Sequence, residues 1–157
     1  MSSVRIGPHI SPFLWFDSNA EEAVDFYLSI FKNSRKLGEY RATEKSGPTP
    51  DAPVMTIAFE LDGQVFTALN GGPHFKFNEA ISFVVRCDSQ QEIDYYWSRL
   101  TDGGSEVQCG WLKDKFGLSW QVVPAQLPEL LKHPKAFAAM MKMKKLDIAE
   151  LERAARE

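Results

Sequence analysis

Two stretches of this chain begin alike, 71 residues apart. They are Phe16-Asp17-Ser18-Asn19-Ala20-Glu21 and Cys87-Asp88-Ser89-Gln90-Gln91-Glu92. In each, a serine precedes a glutamate by three residues. That is the spacing of a capping box, in which hydroxyl and carboxylate satisfy backbone N–H groups left open at a helix start. In each, a short apolar run comes before and a helix-spaced apolar face comes after. The first face is Ala20, Ala23, Val24, Tyr27, Leu28 and Phe31; the second is Ile93, Tyr96, Trp97 and Leu100. Each helix is followed by strand-like segments. The chain therefore reads as α+β: two βαβββ modules, about 8–70 and about 79–124, then a helical tail over 125–157. All 157 residues form one domain in this reading. Neither half can bury a sheet face alone, so the halves are expected to pack and their concave faces to enclose a cavity.

The strands follow from period and punctuation. Ile10–Phe16 is short, apolar and aromatic, and its Pro12 lacks an N–H for a ladder, which favours an edge or a bulge. Residues 36–43 are a weaker strand candidate. Lys45–Pro53 holds three prolines and a glycine and reads as a loop at a pocket rim. Val54–Leu61 alternates, Asp62-Gly63 is a two-residue hairpin turn, and Gln64–Leu69 returns. Residues 70–79 form an irregular loop, and Ala80–Cys87 opens the second module. Glu106–Leu112 and Leu118–Val123 read as strands joined at Asp114–Gly117. In the tail, Pro128 and Pro134 break up the helix, and Asp147 with Glu150 caps a last short one. The triplet Lys142, Lys144 and Lys145 reads as a solvated helix end.

Composition excludes several functions. Eighteen Lys+Arg against 21 Asp+Glu leave a net charge of −3, against a nucleic-acid partner. No apolar run approaches a membrane span, and Met1–Ile10 has no leader-like apolar stretch, so no membrane partner is expected. Cys87 and Cys109 are too few for a disulfide scaffold, and they read as reduced thiols of a cytoplasmic protein.

Paired βαβββ units resemble the vicinal oxygen chelate superfamily, also called the glyoxalase/bleomycin resistance/dioxygenase fold. The segments 12–27 (PFLWFDSNAEEAVDFY), 68–83 (ALNGGPHFKFNEAISF), 109–124 (CGWLKDKFGLSWQVVP) and 141–154 (MKMKKLDIAELERA) are similar to its PhnB-like, 3-demethylubiquinone-9 3-methyltransferase-like family. The resemblance implies a homodimer, and the tail is expected on the partner or across the module interface. It also implies a cavity that in many relatives holds a divalent metal on His, Gln or Glu side chains from several strands. Here the matching strand positions offer His9, Gln121, Thr67 and Asn70, without the His and Glu donors of a tight site. No metal or other cofactor is expected, beyond at most a weakly held divalent ion. Methyl transfer is disfavoured, because no glycine-rich strand-to-helix turn follows the first strand.

The remaining signal is aromatic. Phe13 and Trp15 share a strand face, Phe75 and Phe77 flank His74 in the loop after Gly71-Gly72-Pro73, and Trp111 and Trp120 lie on second-module strands. With Asn70, Cys109 and Gln121, these are the pocket candidates. His74 reads as a pocket hydrogen-bonding group or a loop pin. Cys109 and Cys87 read as strand thiols, inert unless a cation lowers their pKa. The expectation is a small-molecule-binding protein for an apolar or aromatic ligand. A metal-assisted enzyme using His9, His74 or Gln121 is the alternative, and methyl transfer ranks third.

Overall fold

The computed structural model describes residues 7–157. The reading of the first six residues lies outside them. The chain divides into two compact units, Met1–Lys76 and Phe77–Glu157.

The first unit runs β1 (Phe13–Phe16), α1 (Ala20–Ile30), β2 (Ser34–Thr43), β3 (Gly47–Pro48), β4 (Val54–Leu61) and β5 (Gln64–Asn70). Its sheet has the order β1-β5-β4-β2-β3. β1 is parallel to β5, with Phe16 opposite Asn70, and the other pairs are antiparallel. The first strand is shorter than its apolar run: Ile10 is 87% exposed. Pro12 sits just before this edge strand, where its carbonyl accepts from Thr67 N–H at 3.1 Å. Asp62 and Gly63 both have positive φ, as the tight β4–β5 hairpin demands. One sheet face is covered. There Ile57, Phe59, Phe66 and Ala68 are buried with Ala20, Ala23, Val24 and Tyr27 of α1. Tyr27 stacks on Phe59, and Phe59 on Phe66.

The first capping box does not form. Asn19 is the N-cap and lends no side chain. Instead the Asn70 Oδ1 accepts from Ala20 N–H at 2.9 Å. The reason is the register: the parallel β1–β5 pair puts the end of β5 at the start of α1.

The second unit runs β6 (Ser82–Cys87), α2 (Gln90–Leu100), β7 (Ser105–Glu106), β8 (Trp111–Lys113), β9 (Ser119–Pro124), α3 (Leu127–Leu130), α4 (Pro134–Met140) and α5 (Ile148–Ala155). Its sheet order, β6-β9-β8-β7, repeats the first topology. Again the first strand lies parallel beside the last. Here the capping box does form: Ser89 Oγ accepts from Glu92 N–H, and Glu92 Oε1 from Asp88 N–H. Pro124 holds the register position opposite Cys87 and has no side chain able to cap.

The strand expected over Glu106–Leu112 is interrupted. Val107 N–H bonds the Trp111 carbonyl, so residues 108–110 are a hairpin tip. Cys109 there has φ +58, so it is a turn residue and not a strand thiol.

The tail folds onto its own unit. Met140, Leu146 and Leu151 bury against Val123. The carbonyls of Met143 and Lys144 accept from Cys109 and Gly110 N–H, both at 2.8 Å. Gln90 binds the tail in both directions, donating to the Leu146 carbonyl and accepting from Ile148 N–H. Asp147 caps α5 through Glu150 N–H. Lys142, Lys144 and Lys145 lie between α4 and α5, not on a helix end, and Lys145 pairs with Asp94 at 2.9 Å. Among the described residues, no helix is long and apolar enough to cross a membrane.

Candidate functional site

Each sheet has one face packed under its helix and one left partly open. Side chains alternate along a strand, so the register decides which residues share the open face.

In the first unit the open face carries Phe13 and Trp15 of β1, Thr67 and Leu69 of β5, Thr56 of β4 and Tyr40 of β2. Phe13 is 61% exposed. Trp15 is fixed from three sides. Its Nε1–H donates to the Gly72 carbonyl at 2.9 Å. The Phe75 ring meets it edge-on at 4.8 Å, and the His74 ring at 6.4 Å. Gly71 passes so close that a Cβ there would overlap the indole. Only glycine permits that approach at position 71, and at position 72 the backbone φ of +90 favours glycine. Gly71 and Gly72 N–H extend the β1 ladder, each bonding a carbonyl of Phe16 or Asp17 at 2.8 Å. Phe75 remains 66% exposed and His74 is exposed. Trp15, His74 and Phe75 thus lie together in the first unit.

Asn70 lines a separate groove of about 360 Å³ with Asp17, Ser18, Glu21 and Met55. Its amide is engaged, holding Ala20 N–H and donating to the Val54 carbonyl at 3.1 Å. It acts there as a helix cap.

In the second unit two rows cross the open face. One is Ser82, Ser119 and Lys113; the next is Val84, Gln121 and Trp111. Gln121 Nε2–H donates to Ser82 Oγ at 3.0 Å. Lys113 forms an ion pair with Glu79. Glu79, in turn, is held below the usual carboxylate range by that hydrogen bond from Lys113. Trp120 takes the opposite, covered face. It is 3% exposed, lies beside Phe83, and donates through Nε1–H to Asp114 at 2.9 Å. It is core structure, one residue out of phase with the open face. Phe77 is half-buried at the start of this unit. Cys109 Sγ lies 3.6 Å from Met141 Sδ at the hairpin tip, facing the tail. Burial pushes the Cys87 thiol up to about 12, with the carboxylates of Glu92 and Asp88 adding to it. Cys87 is not a nucleophile at neutral pH.

Sequence reasoning missed Ser82, Ser119, Lys113 and Glu79 as a group. Three strands and a loop bring them together, so only the register reveals them.

The chain's relatives share this architecture. The model of the family described as 3-demethylubiquinone-9 3-methyltransferase matches residues 8–123. The PhnB protein of Bacillus cereus, which carries the same family name, is 32% identical, covers 74% of this chain and 99% of its own, and superposes with a TM-score of 0.65. The chain belongs to this family. Its fold is that of the vicinal oxygen chelate superfamily. A Pseudomonas aeruginosa protein shares that fold at 20% identity, covering 75% of this chain and 98% of its own, with a TM-score of 0.61. The fosfomycin resistance protein FosX of Mesorhizobium loti shares it at 12% identity, covering 82% of this chain and all of its own, with a TM-score of 0.58. No curated protein matches the chain.

Divalent metals accompany this fold elsewhere, and one FosX structure, from Listeria monocytogenes, is a complex with Mn(II). Among the described residues, no three His, Cys, Asp or Glu side chains gather into a group able to hold a metal ion. Gln121 and Asn70 are both neutral amides already engaged within their units. Neutral amides alone are weak ligands for a borderline cation.

Proposed function

We propose that this family member is a cytoplasmic small-molecule-binding protein, a homodimer, that takes an apolar or aromatic ligand on its open sheet faces. The observation that carries this reading is the first unit's aromatic cluster. Trp15 is immobilised by Gly71, Gly72 and Phe75, while Phe13 and Phe75 keep most of their surface in water. Exposed rings on a rigid backbone are unfavourable unless something covers them. A planar ligand gains from ring edges and faces already in position. The methyl transfer in the family's name finds no support in the strand-to-helix turns. Asp17-Ser18-Asn19 and Asp88-Ser89-Gln90 contain no glycine to admit the ribose and the methionine carboxylate of S-adenosylmethionine.

A thermal-shift screen of aromatic metabolites tests the reading. Ligands that raise Tm for the native chain are expected to lose at least about two-thirds of the shift in the double variant Phe13→Ala/Phe75→Ala, since both rings contribute to the contact. Both residues are largely exposed, so the sheet should keep its fold, while Trp15 loses the Phe75 edge and keeps its bond to the Gly72 carbonyl. If no aromatic compound shifts Tm, or the double variant keeps every shift, the reading fails. Titration calorimetry with S-adenosylmethionine should show no heat, and micromolar binding would restore the methyl-transfer alternative.

A further inference from the structure

We propose that the open face of the second unit is a carboxylate-binding site, and that Glu79 now stands where the carboxylate of an apolar or aromatic acid would sit. The proposal rests on the reading that the open sheet faces take a ligand, and it names the chemistry of one such face.

Three observations meet there. First, Lys113 already holds a carboxylate, that of Glu79. Glu79 belongs to the loop before β6 and is itself exposed, as are its neighbours Ala80 and Ile81. Second, Ser119 Oγ is the buried side-chain polar atom without a hydrogen-bond partner among the described residues, and Ser119 is only 1% exposed. Buried hydroxyls are nearly always bonded, so an unbonded one needs a reason. The register sets Ser119 between Ser82 and Lys113 on the same face. A carboxylate has two oxygens: one can keep the ammonium, and the other can accept a hydrogen bond donated by the Ser119 hydroxyl. Bonds with one charged member are the stronger kind. Third, the next row supplies the wall for the rest of the acid. Trp111 and Val84 flank Gln121, whose amide is turned to Ser82. Ammonium and hydroxyl would recognise the head group, and the indole an attached ring.

Benzoate is the probe and benzyl alcohol its neutral counterpart, titrated into the full-length chain by calorimetry or chemical-shift mapping. Benzoate is expected to bind the native chain at least about tenfold more tightly than benzyl alcohol, the factor one good ionic contact supplies. Glu79→Ala removes the resident carboxylate and should tighten benzoate at least about threefold while leaving benzyl alcohol unchanged. Lys113→Met should abolish the preference. Ser119→Ala should weaken benzoate about tenfold without lowering Tm, because it deletes a group that has no partner. A merely structural serine would not show that combination. Equal affinity for benzoate in native, Glu79→Ala and Lys113→Met chains overturns the proposal. If benzyl alcohol binds as well as benzoate, the proposal falls and the ligand-binding reading stands. If neither binds and no aromatic compound shifts Tm, both fall.

Discussion

Asp114 is a buried carboxylate that organises the approach to β9. Its Oδ1 accepts from Phe116 and Leu118 N–H at 2.9 and 3.0 Å, and its Oδ2 from the Trp120 indole at 2.9 Å. Leu118 N–H and the Trp120 indole sit where water is scarce, while Phe116 N–H is half-buried. Removing the acceptor leaves them desolvated, at about 1–3 kcal/mol apiece. Asp114→Ala should therefore cost roughly 3 kcal/mol in all, since the exposed end of the turn can recruit water. Thermal unfolding followed by circular dichroism should show Tm falling by about 10 °C for a chain of this size. An unchanged Tm would mean the turn is held by packing alone. Cys87 gives a prediction of opposite chemistry. Its folded pKa is raised to about 12 from an ordinary 9.0, so the folded state favours the neutral thiol. That contribution is complete below pH 9, and stability should decline as pH climbs from 9 towards 12, where the unfolded thiol ionises first. Cys87→Ser should flatten that part of the stability–pH curve. In native protein at about pH 8, iodoacetamide should label half-buried Cys109 and spare Cys87.

The two main helices are capped by different devices, and the difference is measurable. Ser89→Ala removes a local cap, whereas Asn70→Ala removes one delivered from the end of a strand. Each should cost about 1 kcal/mol. Asn70→Ala should also loosen the β4 end, because Asn70 Nδ2–H holds the Val54 carbonyl. Amide exchange should therefore speed up at Val54 in that variant and not in Ser89→Ala; equal exchange would limit Asn70 to the cap. The same contrast explains what can be read from the residues. The capping box at Ser89–Glu92 and the Asp147 cap on Glu150 N–H are legible because both partners lie within one turn. So is the β4–β5 hairpin, where Asp-Gly names its own turn. Ser18–Glu21 has the same spelling and fails, because an amide 50 residues away reaches Ala20 first. The break between β7 and β8 is hidden too, since Cys109 is not a residue type that announces a positive φ. At the site, Trp15, His74 and Phe75 are legible because glycines mark the loop around them. Trp120 is misplaced beside Trp111 because a sequence does not show which face a tryptophan takes. Ser119, and its place beside Lys113, escape notice for the same reason.

At the scale of the molecule, the tail belongs to the second unit. It supplies Leu146 and Leu151 to that unit's core, and carbonyl acceptors to the β7–β8 hairpin tip. Deleting residues 141–157 should raise amide exchange across β8 and β9 at least about tenfold and leave β4 and β5 unchanged, as expected where cooperative units are separate. Uniform loss of protection would show instead that the units unfold as one.

Both sheets share one further property: the strand that enters lies beside the strand that leaves. Such a unit is a cassette. It can be copied head to tail with only a short joint, here the residues between Asn70 and Ser82, and neither copy must borrow a strand from the other. Once doubled, the copies are free to drift. The first unit has a ten-residue second strand; in the second unit its counterpart has two residues, and a helical tail follows the sheet. The aromatic face and the Lys113 face are thus equivalent surfaces of one topology, carrying different side chains.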